Sequence, residues 1–77
     1  MMSRVVVTGA RGRASGHAVV GVLQNYTGLT HPEASRLFGQ VRAGERVVLD
    51  LDDEFAAYDL VSMLTDLGLQ AEVADTH

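Results

Sequence analysis

Three times along this chain a helix-opening signal is followed, thirteen to sixteen positions after its first residue, by a glycine: Ser15 and Gly28, Thr30 and Gly44, Asp52-Asp53-Glu54 and Gly68. A Ser, Thr or Asp oxygen accepts from the unpaired amides of a helix's first turn, and glycine takes the left-handed conformation in which many helices end. This punctuation marks out three helices and leaves only short segments for strands. In the first helix Ala18, Val19, Val22, Leu23 and Tyr26 form one apolar stripe at helical spacing. The second opens on Thr30-His31-Pro32-Glu33, a capping box in which the Thr30 hydroxyl accepts from the Glu33 amide while the Glu33 carboxylate reaches back to the backbone of Thr30. Pro32, in the first turn, loses no intrahelical bond there, and Ala34, Leu37, Phe38 and Val41 make the buried stripe. In the third, Ala56, Leu60, Met63, Leu64 and Leu67 recur on one face, and the opening Asp52, Asp53 and Glu54 suit the positive end of the helix dipole.

The segments between are strand-like. Arg4-Val5-Val6-Val7-Thr8 is β-branched, bounded by Gly9, and belongs inside the sheet. In residues 46–51, Val47, Leu49 and Leu51 share one face while Arg46, Val48 and Asp50 share the other. Leu69, Ala71 and Val73 alternate with Gln70 and Glu72 before a polar tail, Asp75-Thr76-His77, expected to fray. The predicted order is β-α-α-β-α-β, with strands at 4–8, about 46–51 and about 69–73 and helices at about 15–27, 30–43 and 52–67. This is an α+β fold in two layers, a three-stranded sheet with helices on one face, as a single domain over residues 1–77. Its other face exposes Val48 and Val6 among Arg and Glu side chains, which leaves room for a homodimer that shields them.

A chain of 77 residues without cysteine has neither disulfides nor thiolate metal sites to supplement a small core. No apolar run approaches the roughly 20 residues needed to span a bilayer, and Met1-Met2-Ser3-Arg4 leads straight into a strand, so a cytoplasmic protein without membrane partners is expected. Charge is unevenly placed: residues 1–46 hold all six arginines against Glu33 and Glu45, and residues 47–77 hold eight acids and no base, for a net charge of −4. Either the two halves attract each other within one fold, or a basic edge faces an acidic partner. The net acidity speaks against non-specific nucleic-acid binding, which relies on neutralising phosphates.

The stretch from Gly9 to Gly16 tests for nucleotide chemistry. It holds three glycines, two arginines and no large apolar residue, and reads as a surface loop. Dinucleotide binding requires G-x-G-x-x-G, whereas Gly9, Gly12 and Gly16 are spaced G-x-x-G-x-x-x-G. The phosphate-binding Gly-Lys-Ser/Thr is ruled out because the chain has no lysine. His17, His31 and His77 lie on two helix starts and the tail with no H-x-x-x-H pair, and Phe55 replaces the glycine that a calcium loop would need after Asp50, Asp52 and Glu54. Ser15 and Ser35 have no evident base and orienting partner. No catalytic residue, cofactor or metal is therefore assigned, and an enzyme is not expected.

Tyr26-Thr27-Gly28-Leu29-Thr30-His31-Pro32-Glu33-Ala34-Ser35-Arg36-Leu37, with its T-G-L-x-x-x-E-A-x-x-L core, resembles the helix-turn-helix of the bacterial ribosomal stalk protein's C-terminal domain. The ending Leu67-Gly68-Leu69-Gln70-Ala71-Glu72-Val73 resembles that domain's last helix and strand. Val19-Val20-Gly21-Val22-Leu23-Gln24, followed by Gly28, Glu33-Ala34 and Val41, is similar to the corresponding helices of ClpS, the Clp-protease adaptor of the same superfamily. The resemblance implies a non-catalytic adaptor that docks another protein, a component of the translation or proteolysis machinery. Its partner-binding candidates are His17, Gln24, Ser35 and Arg42 on the two-helix face and Arg11 and Arg13 on the loop. Gly16, Gly21, Pro32 and Ser35 stand where the stalk domain carries its lysines, and Gly9-Ala10-Arg11 and Arg42 stand nearest the positions where ClpS holds an N-terminal amine. The alternative is a nucleic-acid binder using Arg4, Arg11, Arg13 and Arg46.

Overall fold

Val5, Val6 and Val7 are all buried, at 0%, 3% and 1% exposure, and a strand apolar on both sides can only lie between two others. The computed structural model describes residues 3–11 and 15–74 and has this arrangement. β1 (Ser3–Ala10) is the middle of a three-stranded sheet, flanked by β2 (Val47–Leu51) and β3 (Leu69–Ala74) and antiparallel to both. Between β1 and β2 run α1 (Gly16–Thr27) and α2 (His31–Arg42), and α3 (Glu54–Asp66) links β2 to β3. The helices cover one sheet face, where Val5, Val7, Val47, Leu49 and Leu51 meet Val19, Leu23, Phe38, Leu60 and Leu64. No helix among the described residues is long and apolar enough to cross a membrane.

The caps expected at Ser15 and Thr30 form, and α3 begins at Glu54 rather than at residue 52, with Asp53 as its cap. Ser15 Oγ accepts from the Ala18 amide at 3.4 Å, and Asp53 Oδ1 accepts from the Phe55 amide at 3.0 Å. At α2 both arms of the capping box are closed: the Glu33 amide donates to Thr30 Oγ1 at 3.3 Å, and the Thr30 amide donates to Glu33 Oε1 at 3.1 Å. The Thr30 hydroxyl also donates to Glu33 Oε1, at 2.8 Å. These bonds from Thr30, hydroxyl first and then amide, together with the Arg36 charge, hold the Glu33 carboxyl below its ordinary 4.5.

Several expectations need correction. β1 does not stop at Thr8. Val7 pairs with Ala71 but Gly9 pairs with Gln70, so Thr8 is an extra residue in a bulge and the strand continues to Ala10, which packs against the core. Gly9 was expected to begin a loop; it serves the bulge, where a Cβ would stand 3.3 Å from the Gln70 amide. Val6 lies beside Val48 on the face away from the helices, yet it is buried while Val48 is 48% exposed. A central residue has neighbours on both sides, Val48 and Glu72, whereas Val48 on an outer strand has only one.

The third helix is turned from its expected face. Ala57 joins Leu60 and Leu64 at 0% exposure, Ala56 and Leu67 are half-buried, and Met63 is 43% exposed. Apolar side chains occur around most of α3, from Phe55 to Leu64, so periodicity leaves its rotation open and small Ala57 takes the inward place. In α1 the buried set is Val19, Val20 and Leu23, with Ala18, Val22 and Tyr26 half-buried, because α1 packs against α2, α3 and β2 together and so buries a broader arc. In α2, Leu37 is half-buried beside the buried Ala34, Phe38 and Val41.

Leu64→Ala removes a fully buried side chain and is expected to cost about 2–5 kcal/mol in chemical denaturation. Thr30→Ala opens the capping box and should cost about 1 kcal/mol. In an NMR titration the Glu33 midpoint should then rise toward the ordinary value. A carboxyl with a depressed folded pKa stabilises fully above its unfolded value and loses that contribution as pH falls through the folded one, so the wild type's advantage over Thr30→Ala should shrink below pH 4.5.

Candidate functional site

Two surface concavities contain candidate residues. The first lies between the N-terminal halves of α1 and α2, a crevice of about 270 Å³ lined by Gly16, His17, Val20, His31, Ser35 and Phe38. Both helices are held at their starts by caps, Ser15 for α1 and Thr30 with Glu33 for α2, so the lining side chains sit on fixed backbone. His31, Ser35 and Phe38 are at i, i+4 and i+7 and share one face of α2. Gly16 lets the helices close up here. A Cβ at this position would stand 3.0 Å from Phe38 Cε2, so the ring packs directly onto the first turn of α1. The Arg42 guanidinium lies 5.8 Å from the Phe38 ring centroid, within reach of a cation–π contact, at the carbonyl end of α2 where positive charge is favoured.

The crevice joins an apolar floor, Val20 and Phe38, to a rim of two imidazoles and a hydroxyl. It can accept a side chain with an apolar body and a polar end. Among the described residues no group of three or more His, Asp or Glu is arranged to hold a metal ion.

The second concavity, about 470 Å³, wraps the start of β3 and is lined by Thr8, Arg11, Thr65, Gly68, Leu69, Gln70, Ala71 and Glu72. Arg11 is fixed here twice. Its amide donates to the Gly68 carbonyl at 2.6 Å, and with the Gln70 amide oxygen turned toward it, Arg11 Nε and Nη2 donate at 3.0 and 3.2 Å. Gly68 has φ of 96°, and a Cβ there would meet the Arg11 carbonyl oxygen at 3.1 Å, so both conformation and space call for glycine.

The predicted residues are thus divided. His17 and Ser35 share the helix crevice, and Arg42 caps the Phe38 ring beside it. Gln24 is half-buried near the far end of α1 and does not line it. Arg11 belongs to the separate concavity at β3, and Arg13 lies outside the described residues. Of the remaining arginines, Arg4 is paired with Asp50 across β1 and β2, Nε to Oδ1 at 3.1 Å, and Arg46 is exposed just before β2. Sequence reasoning missed His31 and Phe38 as lining residues because each already had a role, in a cap and in a buried stripe. Their spacing with Ser35 was the available signal.

The chain matches no family model and no curated protein sequence.

Gly16→Ala should force the Phe38 ring to shift by a few tenths of an ångström. The expected outcome is altered ring proton shifts for Phe38 with a stability change of no more than about 1–3 kcal/mol, the usual cost of overpacking. Unchanged ring shifts would mean that the two side chains do not touch.

Proposed function

We propose that this protein is a small, non-catalytic adaptor that docks another protein on the face formed by α1 and α2, in the manner of the stalk C-terminal and ClpS-like domains its helix pair resembles. The observation that carries this reading is the crevice itself: His17, Ser35, His31 and Phe38, from two capped helices, converge on one partly apolar recess. The stretch of residues 26–37 that bears the resemblance comprises the end of α1, the turn with Gly28 at φ 71° and the start of α2, so the resembling motif builds one wall of that recess. A cytoplasmic setting, with a partner in translation or proteolysis, fits this role.

A protein partner is favoured over nucleic acid by the net charge of −4 and by the pairing of Arg4 with Asp50, since phosphate binding draws on unneutralised cations. The Arg4–Asp50 pair is half-exposed and adds at most about 1 kcal/mol to the fold.

A photo-crosslinking amino acid at Ser35 is expected to capture one protein in native extract, and the same group at exposed Glu45 should not. His31→Glu combined with His17→Glu, which changes the charge of the rim without touching the core, should abolish that capture. Identical products from both positions, or turnover of a substrate by the purified chain, would end the adaptor reading.

A further inference from the structure

Three of the four large apolar side chains most exposed among the described residues belong to one helix: Phe55 at 80%, Tyr58 at 52% and Met63 at 43%, with Val48 of β2 the fourth. On α3 these three fall within an arc of about 140°, at 100° per residue, that also holds Asp59, Ser62 and Asp66. The opposite side of α3 is already anchored by Ala57, Leu60 and Leu64, each fully buried, so the fold has no use for Phe55 and Tyr58. Exposed apolar side chains gathered on one face and rimmed by polar residues are a mark of interaction surfaces.

Charge says what kind of molecule. Along α3 and at its start stand Asp53, Glu54, Asp59 and Asp66, with no Lys or Arg anywhere from 47 to 77. The one ion pair among the described residues is Arg4–Asp50, so the α3 acids have no partner there. A symmetric pairing of two copies through α3 would bring these acids against their equivalents, since each copy offers the same patch. A positively charged occupant meets no such repulsion, and its Arg or Lys groups can also lie over the Phe55 and Tyr58 rings.

We infer that the outer face of α3 is a docking surface for a basic amphipathic helix of another protein, which seats apolar side chains among Phe55, Tyr58 and Met63 and places Arg or Lys against Asp59 and Asp66. At 13 residues α3 is about 20 Å long, enough for three turns of such a helix to lie along it. This surface is separate from the α1–α2 crevice, and its test does not depend on that reading.

The probe is a synthetic helical peptide of about four turns with leucines at i, i+3, i+4 and i+7 spacing flanked by arginines, beside a counterpart in which every arginine is glutamate. Titrated into the isotopically labelled full chain, the arginine peptide should give saturable amide shifts concentrated in residues 54–66, and the glutamate peptide none. Phe55→Ala with Tyr58→Ala should weaken binding about tenfold or more, with an unchanged thermal melt because neither side chain is in the core. Asp59→Asn with Asp66→Asn should flatten its salt dependence. The inference is overturned by absence of saturable binding, by equal binding of the glutamate peptide, by shifts centred on α1 and α2, by full affinity in the double alanine variant, or by self-association through α3 in sedimentation velocity.

Discussion

Burial of β1 from both sides is the constraint on which the rest of this structure depends. Val5 and Val7 meet the helical layer, while Val6 is covered from the other side by its cross-strand neighbours. Each outer strand is tied to the sheet through β1 alone, and α2 and α3 both pack on it. In a chain this short, with no disulfide, one strand must serve as the common contact for everything else. A bulge at Thr8 shifts the pairing of β1 with β3. It lets β1 continue past Gly9 and brings the Arg11 amide onto the Gly68 carbonyl, closing the start of β3 against the end of β1.

The helical layer is held to the sheet by small residues as much as by large ones. Ala34 and Ala57 are both fully buried, where a larger side chain would hold the helices apart. Gly16 does the same between α1 and α2, and the consequence is visible at the surface. Phe38 packs on the first turn of α1 and becomes the floor of the crevice rather than a residue wholly inside the core. The same side chain thus contributes to stability and to the recess, with Arg42 over its ring.

The uneven charge of the chain is only slightly consumed by folding. Arg4–Asp50 joins the basic and acidic halves, but it is half-exposed and is the one ion pair among the described residues. Attraction between halves is therefore a minor part of what holds the domain together, and the remaining charge stays on the surface. Histidines and Arg42 border the α1–α2 face, and acids border α3. The two faces consequently differ in the partners they favour.

What the sequence determined by itself is local. Ser15, the Thr30–Glu33 pair and the terminal glycines establish where helices begin and end, because a cap is a bond between residues a few positions apart. The alternation of Val47, Leu49 and Leu51 with Val48 and Asp50 establishes which side of β2 is buried, because side chains on a strand alternate whatever surrounds them. Tertiary structure decided the rotation of α3, the burial of Val6, the bulge at Thr8 and the meeting of His17 with Ser35 and His31. The apolar residues of α3 fit more than one inward face, and a strand's neighbours and a crevice's walls come from distant parts of the chain. Only packing, where Ala57 and Gly16 leave room and Met63 is turned outward, selects among arrangements that the local pattern leaves equivalent.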